Sequence, residues 1–156
     1  MDNYVRQKVD EVNQKIKELN ALYHMASKKA GIGSGEISIW SFLLNSDEEY
    51  SQQDFCEILS LPRQTVNSII SALIKKEYVY LEHVPGTRNK KIVRLTEKGI
   101  CFGNSNVKWI FEAEQKAMEK TDPLEVSACL TMLEKYILCL RKEISKERDI
   151  NEYKNI

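Results

Sequence analysis

Long apolar runs are missing from this chain. No stretch approaches the roughly 20 consecutive apolar residues that a membrane-crossing helix needs, and the charged segment from Met1 to Lys17 lacks the apolar core of a signal peptide. A cytoplasmic protein without a membrane partner is expected. Histidine is scarce as well: His24 and His83 are the only two in 156 residues. Neither stands at metal-ligand spacing to a cysteine, so no structural zinc is expected. The cysteines Cys56, Cys101, Cys129 and Cys139 form no Cys-x-x-Cys pair and read as free thiols in a reducing compartment. There is no glycine-rich phosphate loop, no Gly-x-Ser-x-Gly and no clustering of histidine with acid, so neither catalysis nor a cofactor is expected.

Net charge is also lacking. The formal charge is zero, which taken alone argues against a polyanionic partner. Its distribution answers that objection. From Ser60 to Ile100 there are eight Lys or Arg against three Glu, an excess of five that the rest of a neutral chain must balance. A basic face on a neutral protein can bind phosphates with salt-dependent affinity.

The basic stretch has an internal order. Ser51-Gln52-Gln53-Asp54 is a Ser-x-x-acid helix start, followed by Phe55, Ile58 and Leu59 on one face. Ser60-Leu61-Pro62 then breaks that helix, because proline donates no N–H and disfavours helical geometry in the residue before it. A second helix is expected from about Arg63 to Lys76. Its Val66, Ile69, Ile70 and Leu73 fall on one side at helical spacing. Gln64, Ser68, Ser71 and Lys75 fall opposite, flanked by Arg63, Thr65 and Asn67. That outward face combines side chains suited to base edges with side chains suited to phosphates, as a helix in a major groove requires. An ordinary solvated helix face would have a similar composition.

A hairpin follows. Val79 to Val84 and Ile92 to Leu95 are rich in β-branched and apolar residues, and the run Pro85-Gly86-Thr87-Arg88-Asn89-Lys90-Lys91 between them is turn-forming. Arg88 is suited to a narrow minor groove, with Asn89, Lys90, Lys91 and Arg94 around it and the lysines and Arg94 expected on phosphates. The alternative is a basic surface turn with no partner. Helix pair and hairpin together read as a helix-turn-helix with a β-hairpin wing.

Here the sequence resembles the multiple antibiotic resistance regulator (MarR) family of winged-helix transcription factors. The resemblance rests on Leu61-Pro62-Arg63-Gln64-Thr65-Val66-Asn67, on Leu73 with Tyr78-Val79, on Arg88, and on Leu95-Thr96-Glu97-Lys98-Gly99. The order of elements along almost the whole chain agrees. No one of these motifs is specific; their joint spacing is. Two departures stand out: the family commonly has glycine where Glu77 stands, and an aspartate two residues before the wing arginine, where this chain has Gly86. Glu77 must then tolerate a helix exit usually left to glycine, and Arg88 lacks a carboxylate to orient it.

The flanks read as helices. Val5, Val9, Val12, Ile16, Leu19 and Tyr23 follow in steps of four and three, a narrow seam that needs a partner. Gly31-Ile32-Gly33-Ser34-Gly35 ends that helix. A short helix, apolar nearly all round, is expected from about Ser34 or Glu36 to Leu44. Thr96 opens a helix to about Lys120, in which Gly99 and Gly103 each cost about 1 kcal/mol relative to alanine. Asp122-Pro123-Leu124-Glu125 is a strong start for a last helix, along which Val126, Leu130, Leu133, Ile137, Leu140 and Ile144 repeat the four-three rhythm.

The two seams imply a shared interface. They could pack on each other within one chain; in the resembling family the terminal helices of two protomers interlock, which implies a homodimer. Two recognition helices about one DNA turn apart would suit a palindrome. The expected fold is mainly α with a small β-hairpin wing, one domain over 1–156. It has dimerisation helices at 1–30 and 122–147, a winged helix-turn-helix over 36–99 and a connecting helix over 96–120. The resemblance also implies a response to a small aromatic ligand or to oxidation. Tyr23, Trp40 and Trp109 are pocket candidates, although aromatics at helical spacing equally mark a core; Cys101, close to Lys98, is the candidate redox sensor. The implied function is a repressor that binds double-stranded DNA at a palindromic promoter site. The alternative from another class is a winged-helix module that binds protein.

Overall fold

The computed structural model describes residues 3–87 and 89–153, with side chains to residue 146. Seven α-helices and a two-stranded antiparallel hairpin are described: α1 (Asn3–Ala30), α2 (Glu36–Asn45), α3 (Gln52–Ile58), α4 (Arg63–Lys75), β1 (Val79–His83), β2 (Lys91–Leu95), α5 (Glu97–Phe102), α6 (Lys108–Met118) and α7 (Pro123–Tyr153). Between α5 and α6 runs a π-helical segment, Gly103–Val107. The mainly helical class with a hairpin wing is therefore what the sequence suggested. The chain divides into two compact units, Met1–Ala113 and Glu114–Ile156, with the division inside α6.

The first unit is built around α2. Ile39 and Trp40 have no exposed surface, and they join Phe55, Val66, Ile70, Leu73 and Val107 in a single core. Nearly all-round apolarity had required burial on several sides, and α2 packs against both α1 and the π-helical segment. The hairpin packs against α3, α4 and α5, with Val79, Ile92 and Val93 buried. Its register pairs Val79 with Leu95 and His83 with Lys91. One further residue joins the sheet, since Ser51 bridges Ile92 and the Val93 amide donates to the Tyr50 carbonyl at 2.8 Å.

Three helices end in the same way. Gly31, Ser60 and Glu77 all have positive φ, at 70°, 51° and 60°. The amide after each donates five residues back: Ile32 to the Ser27 carbonyl, Leu61 to Cys56 and Tyr78 to Leu73. This left-handed closure satisfies carbonyls that a helix end leaves free. Only one of the three sites uses glycine, so Ser60 and Glu77 hold a conformation that disfavours a Cβ.

The helix after the wing is continuous but not uniform. Thr96 caps it, its hydroxyl accepting from the Gly99 amide at 2.9 Å. A Cβ on Gly99 would stand 2.0 Å from the Tyr78 carbonyl oxygen, and one on Gly103 would stand 2.7 Å from a Leu44 methyl and 3.1 Å from the Trp40 ring. The two glycines thus permit close packing that outweighs their helical cost. The π-helical turn was not foreseen. Gly103 and Val107, four residues apart, lie on its buried side.

In the second unit α7 starts as its capping motif requires, with the Leu124 amide donating to Asp122 Oδ1 at 2.7 Å. Leu130, Ile137, Leu140 and Ile144 along it are 43–56% exposed. In the first unit Val5 and Ile16 of α1 are similarly exposed, and Val9 and Val12 are half-buried. No helix among the described residues is long and apolar enough to cross a membrane.

Candidate nucleic-acid interface

The site begins with the start of α3. Ser51 and Asp54 form a reciprocal capping box: the Asp54 amide donates to Ser51 Oγ at 3.2 Å, and the Ser51 amide donates to Asp54 Oδ2 at 2.7 Å. Those bonds from Ser51, with the positive charge of Lys90 adding to them, hold the Asp54 carboxyl below its ordinary value of 3.8. The box fixes where α3 begins, Phe55 anchors α3 in the core, and α3 packs against α4.

Helix α4 is amphipathic in the sense expected. Val66, Ile70 and Leu73 are buried and Ile69 is half-buried, whereas Arg63, Gln64, Thr65, Asn67, Ser68, Ser71 and Lys75 are all exposed. Arg63, Gln64, Asn67, Ser68 and Ser71 line one shallow open depression. Among the described residues their side chains carry no hydrogen bond or ion pair. The outward face is thus a row of donors and acceptors left to solvent.

The wing contributes a second basic cleft. Asn89, Lys90 and Lys91 line it together with Ser51, Gln52, Gln53, Asp54 and Leu81. Gln52 and Gln53 were not singled out in the sequence; the signal available was their place in the first turn of a helix next to a capping serine. The turn itself is formed by Gly86 at φ 80°, with the Thr87 amide and hydroxyl both donating to the Val84 carbonyl. Arg88, expected in a minor groove, lies outside the described residues.

Arg94 departs from expectation. It was expected on phosphate, but its guanidinium donates to Glu82 Oε2 at 2.8 Å and to Glu49 Oε1. Hydrogen bonds accepted first by Glu82 and then by Glu49 raise its pKa above the ordinary arginine value. The reason is tertiary: strand pairing sets Glu82 diagonally across from Arg94, and the Tyr50–Val93 bond brings Glu49 alongside. At the base of the wing, Lys98 is similarly engaged by Glu77 at 2.8 Å.

The aromatic candidates are dispersed in role. Trp40 is fully buried, with its ring 5.6 Å from Phe102 and 5.9 Å from Tyr78, and its indole N–H has no hydrogen-bond partner among the described residues. Trp109 donates to the Asn106 carbonyl at 2.8 Å and receives Lys29 over its ring at 4.9 Å. Tyr23 is half-buried against the core. Cys56 is half-buried, and Cys101, Cys129 and Cys139 are exposed.

No protein-family model matches the sequence, and no curated protein aligns with it. Solved structures do match. A MarR family regulator from Neisseria meningitidis superposes with a TM-score of 0.75 at 17% identity, over 90% of this chain and 98% of the other. A MarR/EmrR family transcriptional regulator from Acinetobacter sp. ADP1 gives 0.68 at 23% identity, over 93% and 99%. A MarR family regulator from Listeria monocytogenes, solved in complex with 26mer DNA, gives 0.63 at 16% identity, over 94% and 92%. The chain has the fold of MarR family winged-helix regulators, over nearly its whole length.

Proposed function

We propose that this chain, built on the MarR fold, is a transcriptional regulator of that family, a homodimer that lays α4 in successive major grooves of a palindromic promoter site and represses from there. One observation carries the reading: the outward face of α4 is exposed, rich in hydrogen-bonding groups and unpartnered among the described residues. A protein-binding face would need exposed apolar side chains, and between Arg63 and Ser71 the outward positions have none. The DNA complex of the Listeria monocytogenes neighbour supports the same choice.

In this reading Gln64 and Asn67 read base edges, each supplying about 1 to 3 kcal/mol of discrimination. Lys90 and Lys91 meet phosphates, with Arg88 placed in the minor groove. The exposed seams of α1 and α7 supply the dimer contact. Release by a small ligand belongs to the reading too. Trp40 is sealed in the core, so a ligand touching the three aromatic candidates from outside would meet Tyr23 and Trp109.

The test is a selection of random duplexes by the purified protein, with its mass in solution recorded by light scattering. An inverted repeat bound by a dimer is expected. Replacing Gln64 or Asn67 with alanine should then flatten the preference at single base positions, while Lys90→Ala should weaken all duplexes alike and lower the salt slope by about one. No enrichment at low salt, or a monomer, would move the function to a protein-binding module.

A further inference from the structure

The wing is short of support. Two strands of five residues are marginal as an isolated hairpin. Its buried side chains, Val79, Ile92 and Val93, stop one strand pair short of the turn: Glu82, His83, Pro85, Gly86, Asn89, Lys90 and Lys91 are exposed. Among the described residues the sheet gains one bridging residue, Ser51, from the segment before α3. The lysines assigned to phosphates therefore hang on a strand pair with little burial beyond Ile92.

Arg94 is placed to supply what burial does not. It lies on β2, and its two carboxylate partners come from different parts of the fold: Glu82 from β1 and Glu49 from the loop that leads into α3. One guanidinium thus ties three adjacent backbone segments side by side. A planar fork can serve two carboxylates at once, which an ammonium on a flexible stem does poorly. The same pairing removes Arg94 from the cations available to a polyanion.

We infer that Arg94 is a positioning residue for DNA binding: with Glu49 and Glu82 it locks the wing to the helix-turn-helix, so that Lys90 and Lys91 are held where phosphates lie, and it touches no phosphate itself. The inference rests on the DNA-binding reading for its consequence, but the lock is a property of the free protein. It can be measured without DNA.

Amide hydrogen exchange of the hairpin in the free protein tests the lock. Arg94→Ala and Glu49→Gln/Glu82→Gln should each speed exchange beyond Ile92 by about three- to tenfold, and the combined variant should add little, because all three side chains form one unit. Arg94→Lys should lie between Arg94→Ala and the parent. Titration of the selected duplex over salt concentration tests the consequence. Arg94→Ala should weaken binding by up to about tenfold at an unchanged slope, in contrast to Lys90→Ala, whose slope falls by about one. A slope lowered by Arg94→Ala with unchanged exchange would overturn the inference and make Arg94 a phosphate contact. Unchanged exchange and unchanged affinity would overturn it too, leaving an exposed ion pair of no consequence. If the parent protein bound no duplex, the DNA reading would fail, while the exchange result would still decide whether the lock exists.

Discussion

Two glycines one helical turn apart show how much a single missing Cβ can matter. Gly99 is pressed against the carbonyl of Tyr78, with 2.0 Å left for a Cβ, whereas Gly103 faces the end of the Leu44 side chain. A backbone carbonyl held in place by two bonds from Thr96 cannot retreat; a leucine methyl can rotate. Gly99→Ala should therefore cost about 3 kcal/mol and Gly103→Ala about 1 kcal/mol, despite the gain in helix propensity that each brings. Urea unfolding would register this as two unequal drops in midpoint at constant slope, and equal drops would refute the distinction. Sequence alone gives both glycines the same helical penalty, because it cannot show what lies within 4 Å. The outward face of α4 was legible at this scale, since one helical period assigns Gln64, Asn67 and Ser71 to the side opposite Val66 and Ile70. Arg94 was not legible: its partner Glu49 is 45 residues away in the chain, and the pairing of the Tyr50–Ser51 segment with β2 brings the two together.

At the scale of elements, capping chemistry was the most readable signal. The expected helix starts at Ser51, Thr96 and Asp122 each carry a capping bond, to the amides of Asp54, Gly99 and Leu124. The first of these makes stability depend on acid in a definite direction. The carboxyl of Asp54 titrates below its ordinary value in the folded chain, chiefly because the Ser51 amide and hydroxyl favour the charged form. Its stabilisation is therefore complete above the unfolded value and is lost as pH falls through the lower folded one. Asp54→Asn should flatten the fall in stability below about pH 4 while leaving the curve near neutrality displaced downwards. Ser51→Ala, which removes the other half of the box, should cost about 1 kcal/mol near neutral pH. Thermal unfolding of the three proteins from neutral to acid pH would show a parallel acid limb in Asp54→Asn if the pairing were without effect. The π-helical turn had no such signal. Its buried positions Gly103 and Val107 are four apart, a spacing an α-helix also accepts, so periodicity could not separate the two windings.

For the whole molecule the decisive features are the seams of α1 and α7. Their steps of four and three were plain in the sequence, and Leu130, Ile137, Leu140 and Ile144 remain exposed in the chain by itself. Leucine and isoleucine at four steps of a long helix expose an apolar stripe that a second copy can cover. If the seams form the proposed dimer, Leu133→Asp, at a half-buried seam position, removes about 1.5 kcal/mol of burial from each protomer and adds an unpaired carboxylate. Two-fold symmetry counts the loss twice, so dimerisation should weaken by more than about a hundredfold. The winged unit holds its own core in Trp40, Phe55 and Leu73, so the variant should keep its helical signal and its wing. Binding should then fall to that of a single half-site: the full palindrome and one half of it should be bound with equal affinity, where the parent prefers the palindrome. Leu133→Met, which keeps the volume and the apolar surface, should retain dimer mass and that preference. Light scattering on both variants, with titration of whole and half sites, separates the cases. A dimer that survives Leu133→Asp would place the contact on another face of the molecule.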